Sequence, residues 1–130
     1  KGIKSKVQFM GNSDEVHKIL CLTDLFLLPS EIESFGLAAL EAMACRVPVI
    51  STDVGGLPEV NKHGFSGYLS EVGDVSSMAK YALSILKDEP TLNQFKDNAR
   101  AQAKNFAIEL IVPQYEELYA RTIAETARVK

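Results

Sequence analysis

Leu25-Phe26-Leu27-Leu28-Pro29-Ser30, followed by Glu33-Ser34-Phe35-Gly36-Leu37-Ala38-Ala39-Leu40-Glu41, decides the architecture of this chain. The consecutive apolar residues 25–28 fit a strand covered on both faces, and Pro29 with the polar residues after it turns that strand into a loop. Gly36 then opens a run of strong helix formers reaching about Cys45. The unit is strand, loop, helix, with Glu33 before the first turn and Glu41 inside the helix. Such a helix mouth is a natural anion cradle, because its first amides lack carbonyl partners and its dipole favours negative charge.

On the amino-terminal side, Val7 to Met10 reads as a short strand ending at Gly11. Ser13 or Asp14 then caps a helix carrying Val16, Ile19, Leu20 and Leu22. On the other side, Pro48 starts a strand over Val49 to Thr52, Gly55-Gly56-Leu57-Pro58-Glu59 turns into a short helical segment, and Gly67 to Leu69 forms a fourth strand. Beyond Gly73 the pattern is helical. Asp74 caps a helix with Val75, Met78, Ala79, Ala82, Leu83, Ile85 and Leu86 in one stripe, and Pro90 sits in the first turn of a second helix running to about Lys104. A third covers roughly Ile108 to Ala127, with Pro113 near its start and Ile111, Tyr115, Leu118, Tyr119 and Ile123 on one face.

Alternating strands and helices specify an α/β fold, a Rossmann-like parallel sheet with flanking helices and right-handed crossovers. Ligands of such sheets lie beyond the carboxyl ends of the strands. Four strands are few for a free-standing doubly wound sheet, and no glycine-rich loop precedes Val7, so the expectation is an incomplete domain with strands and helices upstream.

The length of 130 residues suits one core and no internal domain boundary, and 46% hydrophobic with 24% charged residues is ordinary for a globular fold. A net charge of -3 makes no electrostatic case for nucleic acid, and no apolar run is long enough to span a bilayer. Lys1 to Gln8 lacks the apolar block of a signal peptide, so the expected compartment is the cytoplasm. Cys21 and Cys45 read as buried free thiols, with no His or Cys at metal-ligand spacing; no metal and no cofactor are expected. His17 falls on a helix surface and His63 before a glycine turn, and neither is assigned chemistry.

Leu37, Ala38, Ala39, Leu40, Ala42, Met43 and Ala44 surround Glu41 with apolar residues, so the helix reads as buried on nearly all sides. An unpaired carboxylate there costs several kcal/mol and calls for a cation, backbone donors or ligand hydroxyls. The plain reading is an ion pair or an exposed edge. The sharper one is a carboxylate accepting two hydrogen bonds from a vicinal diol such as a ribose. At roughly 1.5 Å per residue, Glu41 lies about 7–8 Å along the axis from Gly36, which leaves room for a diphosphate on the amides of Phe35, Gly36 and Leu37, with Glu33 beyond it facing a hydroxyl-rich sugar. Gly36 removes side-chain obstruction at that mouth.

Leu25-Phe26-Leu27-Leu28-Pro29-Ser30, Glu33-Ser34-Phe35-Gly36-Leu37, Leu40-Glu41-Ala42-Met43-Ala44-Cys45 and Val47-Pro48-Val49-Ile50 together resemble glycosyltransferase family 4. Val54-Gly55-Gly56-Leu57-Pro58-Glu59-Val60, Gly67-Tyr68-Leu69 and Val72-Gly73-Asp74 continue the pattern, and the resemblance extends through Tyr115 to Tyr119. It implies that residues 1–130 are the carboxyl-terminal part of the donor-binding domain of a GT-B enzyme, with retaining transfer from a nucleotide sugar. It assigns the first glutamate of the family's E-x7-E motif, Glu33, to the donor sugar as the catalytic candidate, and the second, Glu41, to the ribose. Ser34, Phe35, Gly36 and Leu37 join the substrate-binding set, and Asn12 and Ser13, with Gly11, resemble the loop that meets the base.

The resemblance further implies that the basic residues gripping the diphosphate, the acceptor site and a catalytic histidine belong to missing upstream parts of the same enzyme, so this chain alone is expected to be inactive. Gly67-Tyr68-Leu69-Ser70-Glu71-Val72-Gly73-Asp74 is most similar to bacterial members using UDP-N-acetylglucosamine as donor and L-malate as small-molecule acceptor, which makes that pair the expectation and leaves a glycan or lipid acceptor as the alternative. Arg46 departs from the family, standing where a helix-ending glycine is usual, at about 1 kcal/mol if left-handed. From other classes, a non-catalytic nucleotide-binding or regulatory module and a helical interaction domain built on residues 90–130 stay open, as does formation of a homo-oligomer. In a GT-B enzyme the apolar face of the last helix should pack on the sheet or on the partner domain.

Overall fold

A computed structural model describes residues 2–127. Its sheet has three parallel strands in the order β1 (Phe26–Leu28), β2 (Val49–Thr52) and β3 (Gly67–Ser70). The helices are α1 (Val16–Leu20), α2 (Leu37–Ala44), α3 (Leu57–Val60), α4 (Val75–Leu86), α5 (Glu89–Lys104) and α6 (Ile108–Ala127). The expected α/β class, the strand-to-helix alternation and the positions of the later helices all appear.

Helices cover both faces of the central strand β2, whose four residues are all buried. Val49 joins Ala39, Ala42, Met43, Leu57, Val60 and Ala99 on one side. Ile50 meets Met78 and Ile85 on the other, flanked by Tyr68, Tyr81 and Phe95. Because side chains alternate across a strand, adjacent residues of β2 anchor two separate helical layers.

A buried polar knot joins β2 to β3. Asn61, fully buried, donates from Nδ2 to the Val49 carbonyl at 3.1 Å, Ser51 Oγ at 3.1 Å and the Tyr68 carbonyl at 3.2 Å. Its Oδ1 accepts from Ser66 Oγ at 2.9 Å, and Ser66 Oγ itself accepts from the Lys62 amide at 2.8 Å. No buried side-chain polar atom among the described residues lacks a partner.

Three expectations are corrected. Val7 to Met10 is not a strand: it follows a 3-10 turn at Lys4–Lys6, pairs with nothing and leaves Phe9 93% exposed. A strand needs a hydrogen-bonded neighbour, and no described segment lies along it. β1 is correspondingly an edge strand with Leu27 exposed, not covered on both faces. Finally, α2 is not buried all round. Ala39, Ala42 and Met43 face the core, whereas Leu37, Ala38, Glu41 and Ala44 are exposed.

α2 ends as a Schellman motif, the Val47 amide bonding the Ala42 carbonyl at 3.0 Å and the Arg46 amide the Met43 carbonyl at 2.9 Å. Arg46 does adopt the left-handed conformation, φ 64°, and its guanidinium reaches Asp97 of α5. α6 runs through Pro113 and contributes no buried residue, so its apolar face does not pack on the sheet.

Replacing Asn61 with Ala should lower unfolding stability by roughly 1–3 kcal/mol, since buried carbonyls lose their donor; urea denaturation of both proteins measures it. Asp74 and Asp88 cap α4 and α5 by accepting from the Ser77 amide at 2.9 Å and the Thr91 amide at 2.7 Å. These bonds hold each carboxyl below its ordinary value of 3.8. The cap contribution is therefore fully present above that value and lost as pH falls through the lower folded one, so Asp74→Ala and Asp88→Ala should each flatten the acid limb of a melting-temperature profile.

Candidate functional site

At the carboxyl ends of the strands, two loops are pressed together backbone to backbone. Gly55 and Gly56, after β2, lie against Glu33, Ser34 and Phe35, after β1: a Cβ built at Gly55 would fall 1.6 Å from the Glu33 carbonyl oxygen, and one at Gly56 2.7 Å from Phe35 Cα. Gly55 also has φ +54°, so both sterics and conformation demand glycine. Thr52 Oγ1 donates to the Ser30 carbonyl at 2.5 Å and ties the same loops together.

This contact sets the mouth of α2. Gly36 is its N-cap, left-handed at φ 99°, with no side-chain cap. Among the described residues the amides of Phe35, Gly36, Leu37, Ala38 and Ala39 have no hydrogen-bond partner, the first main-chain bond into the helix running from the Leu40 amide to the Gly36 carbonyl at 3.1 Å. The expected amides of Phe35, Gly36 and Leu37 are thus joined by those of Ala38 and Ala39. Gly36 is required for its positive φ and for Leu57, whose Cδ2 would stand 2.7 Å from an added Cβ, rather than to clear space outside.

Glu33 is half-buried in the pinned loop, and Ser34 beside it is exposed. Phe35 is half-buried, its ring edge-on to Phe106 at 5.9 Å between centroids. Glu41 is exposed, and among the described residues its carboxylate has neither an ion pair nor a hydrogen bond. It lines two hollows. One, of about 380 Å³, lies between α1 and α2 and includes Asp14, His17, Leu20 and Cys45. The other, of about 400 Å³, lies toward α5 and includes Arg100, Lys104 and Phe106. Asn12 and Ser13 line neither; they are exposed in the loop entering α1, where Ser13 Oγ accepts from the Glu15 amide at 3.1 Å. Arg100 and Lys104 carry no mark in the sequence that ties them to a glutamate some sixty positions earlier.

The cysteines are also relocated. Cys21 is exposed, Cys45 half-buried, and their sulfurs are 3.0 Å apart. His63 is exposed, and its Nδ1 accepts from the Leu69 amide at 3.1 Å. Among the described residues no cluster of three or more His, Cys, Asp or Glu could hold a metal ion, and no helix is long and apolar enough to cross a membrane.

Residues 1–102 match the family model described as glycosyl transferases group 1. The chain belongs to that family. It is 50% identical over 118 residues to N-acetyl-alpha-D-glucosaminyl L-malate synthase of Bacillus anthracis, a match covering 90% of this chain and 31% of that protein. It is 36% identical to the lipopolysaccharide core biosynthesis mannosyltransferase LpsB of Rhizobium meliloti, covering 90% and 35%. Among solved structures, sucrose-phosphate synthase of Thermosynechococcus elongatus superposes with a TM-score of 0.84 at 31% identity, covering 95% of this chain and 32% of that one. HepE of Anabaena, solved with UDP-glucose, gives 0.79 at 26% identity, covering 95% and 34%.

The chain thus spans about a third of these relatives, and its sheet and helices form part of the GT-B fold of the group 1 glycosyl transferases. In this family member, Gly55→Ala should cost on the order of 3 kcal/mol or more, because the new methyl meets a carbonyl. Gly64→Ala, at φ +75° with nothing within 4 Å, should cost only about 1–2 kcal/mol. Paired denaturation curves compare the two.

Proposed function

We propose that this chain contributes the donor half-site of a retaining glycosyltransferase, and that residues 1–130 are the carboxyl-terminal part of its nucleotide-sugar domain. The supporting observation is the free carboxylate of Glu41, which borders open space on the same helix whose mouth offers unpartnered amides. In this reading the diphosphate of a UDP-sugar sits on the amides of Gly36, Leu37 and Ala38, Glu41 holds the two ribose hydroxyls, and Glu33 contacts the transferred sugar. Ser34 and Phe35 shape the approach to the mouth, while Asn12 and Ser13 stand nearer the base.

Chemically, the bond between sugar and diphosphate breaks as charge gathers on the leaving oxygens. Amides oriented by a helix stabilise that charge without reorganising, which lowers the barrier. The scheme asks for no metal. The donor proposed is UDP-N-acetylglucosamine and the acceptor L-malate, supported by the 50% identity to the synthase named above. The acceptor site belongs to an amino-terminal domain of the same protein, working in the cytoplasm.

In the full-length protein, Glu41→Ala should raise the donor KM about 10- to 100-fold, as expected for losing one or two charge-assisted hydrogen bonds. Glu33→Gln should instead depress kcat. Steady-state kinetics with UDP-N-acetylglucosamine and L-malate, with the glycosylated malate detected by mass spectrometry, provide the test. Unchanged donor kinetics in Glu41→Ala would remove the ribose role, and an absent product would remove the acceptor assignment.

A further inference from the structure

Cys21 and Cys45 stand 24 positions apart in sequence, yet the fold brings their sulfurs to 3.0 Å. Each caps the carboxyl end of a helix, Cys21 that of α1 and Cys45 that of α2. Because two helix ends meet there, the pairing is built from backbone elements and not from the chance swing of a surface side chain. A disulfide bond is about 2.05 Å long, so roughly 1 Å of approach separates this pair from covalent linkage.

We propose that Cys21 and Cys45 form a reversible disulfide by exchange with a low-molecular-weight disulfide, making this helix junction a thiol-modification site. The two sulfurs have different surroundings. Cys21 is exposed and open to a small reagent, whereas Cys45 is half-buried and its Sγ lies 3.8 Å from the His17 carbonyl. The contact with Cys21, then burial, then the charges of Cys21 and Glu41 push the Cys45 thiol up to about 11. Because it is the sulfur a small reagent can reach from solvent, Cys21 is the attacking one and Cys45 the resolving one.

In the first step the Cys21 thiolate attacks one sulfur of the small disulfide. That S–S bond breaks, and the released half takes up the proton that Cys21 has lost. In the second, Cys45 loses its proton and attacks Cys21 Sγ, expelling the other half as a thiol. Two protein thiols are oxidised, and one small disulfide is reduced to two thiols.

The bond would staple α1 to α2. α1 is five residues long with only Leu20 buried, so it is otherwise held lightly. Cys45 lines the same hollow as Glu41, with Asp14, His17 and Leu20 on the facing wall. Oxidation would therefore fix the width of that hollow, whatever ligand the hollow receives.

The test uses the full-length protein, incubated with excess oxidised glutathione, then denatured and alkylated. Peptide mass spectrometry should show both cysteines lost to alkylation and their peptides cross-linked, with recovery in dithiothreitol. Cys45→Ser should stop at a single glutathione adduct on Cys21, and Cys21→Ser should leave Cys45 largely alkylatable. Full alkylation of both cysteines after the treatment would overturn the proposal. So would two separate glutathione adducts with no cross-link. Neither readout involves transfer activity, so the outcome is independent of the donor-site reading.

Discussion

The contact of Gly55 and Gly56 with the backbone of Glu33 to Phe35 is the constraint from which the geometry of the mouth follows. Main chain meets main chain there with no room for a single side-chain carbon, a Cβ at Gly55 falling 1.6 Å from a carbonyl oxygen. Two loops that leave neighbouring parallel strands are thereby held in one arrangement, and Thr52 binds them a second time through the Ser30 carbonyl. The direction in which α2 departs and the position of Glu33 both depend on that closeness. Glycine serves here as a spacer of zero thickness more than as a flexible joint.

Beneath the mouth, the sheet is small, and its stability rests on making β2 serve two layers. Val49 and Ile50 divide between separate hydrophobic clusters, while Asn61 and Ser66 satisfy polar groups buried between β2 and β3. Parallel strands are joined by long crossovers rather than tight hairpins, so register must be specified from within. A buried amide that reaches carbonyls on both strands performs that task, because a slip of register would leave its donors and acceptors unpaired.

Much of this was legible from residue order. The strand at 26–28, the helix from 37, the strand at 49–52, the Asp74 cap and the three closing helices all follow from local pattern. So does the placement of Glu33, Gly36 and Glu41 on one strand-loop-helix unit, whose internal geometry is local. The expected burial of Glu41 failed for a physical reason. Alanine is compatible with either face of a helix, so an alanine-rich segment carries little information on which side meets solvent. Ala38 and Ala44 are exposed beside Glu41, whereas Ala39 and Ala42 are buried. Val7 to Met10 failed otherwise, since strand propensity becomes a strand only where another strand accepts its hydrogen bonds.

Residue order alone thus determined the succession of elements and the pair of acids at one helix entrance, since each depends on neighbours within a turn or a loop. Only the tertiary structure decided that the two thiols meet, that Arg100 and Lys104 share a hollow with Glu41, and that Asn61 ties β2 to β3. Those facts join residues through space across tens of positions. Nothing in local periodicity records which surfaces a folded chain will bring together.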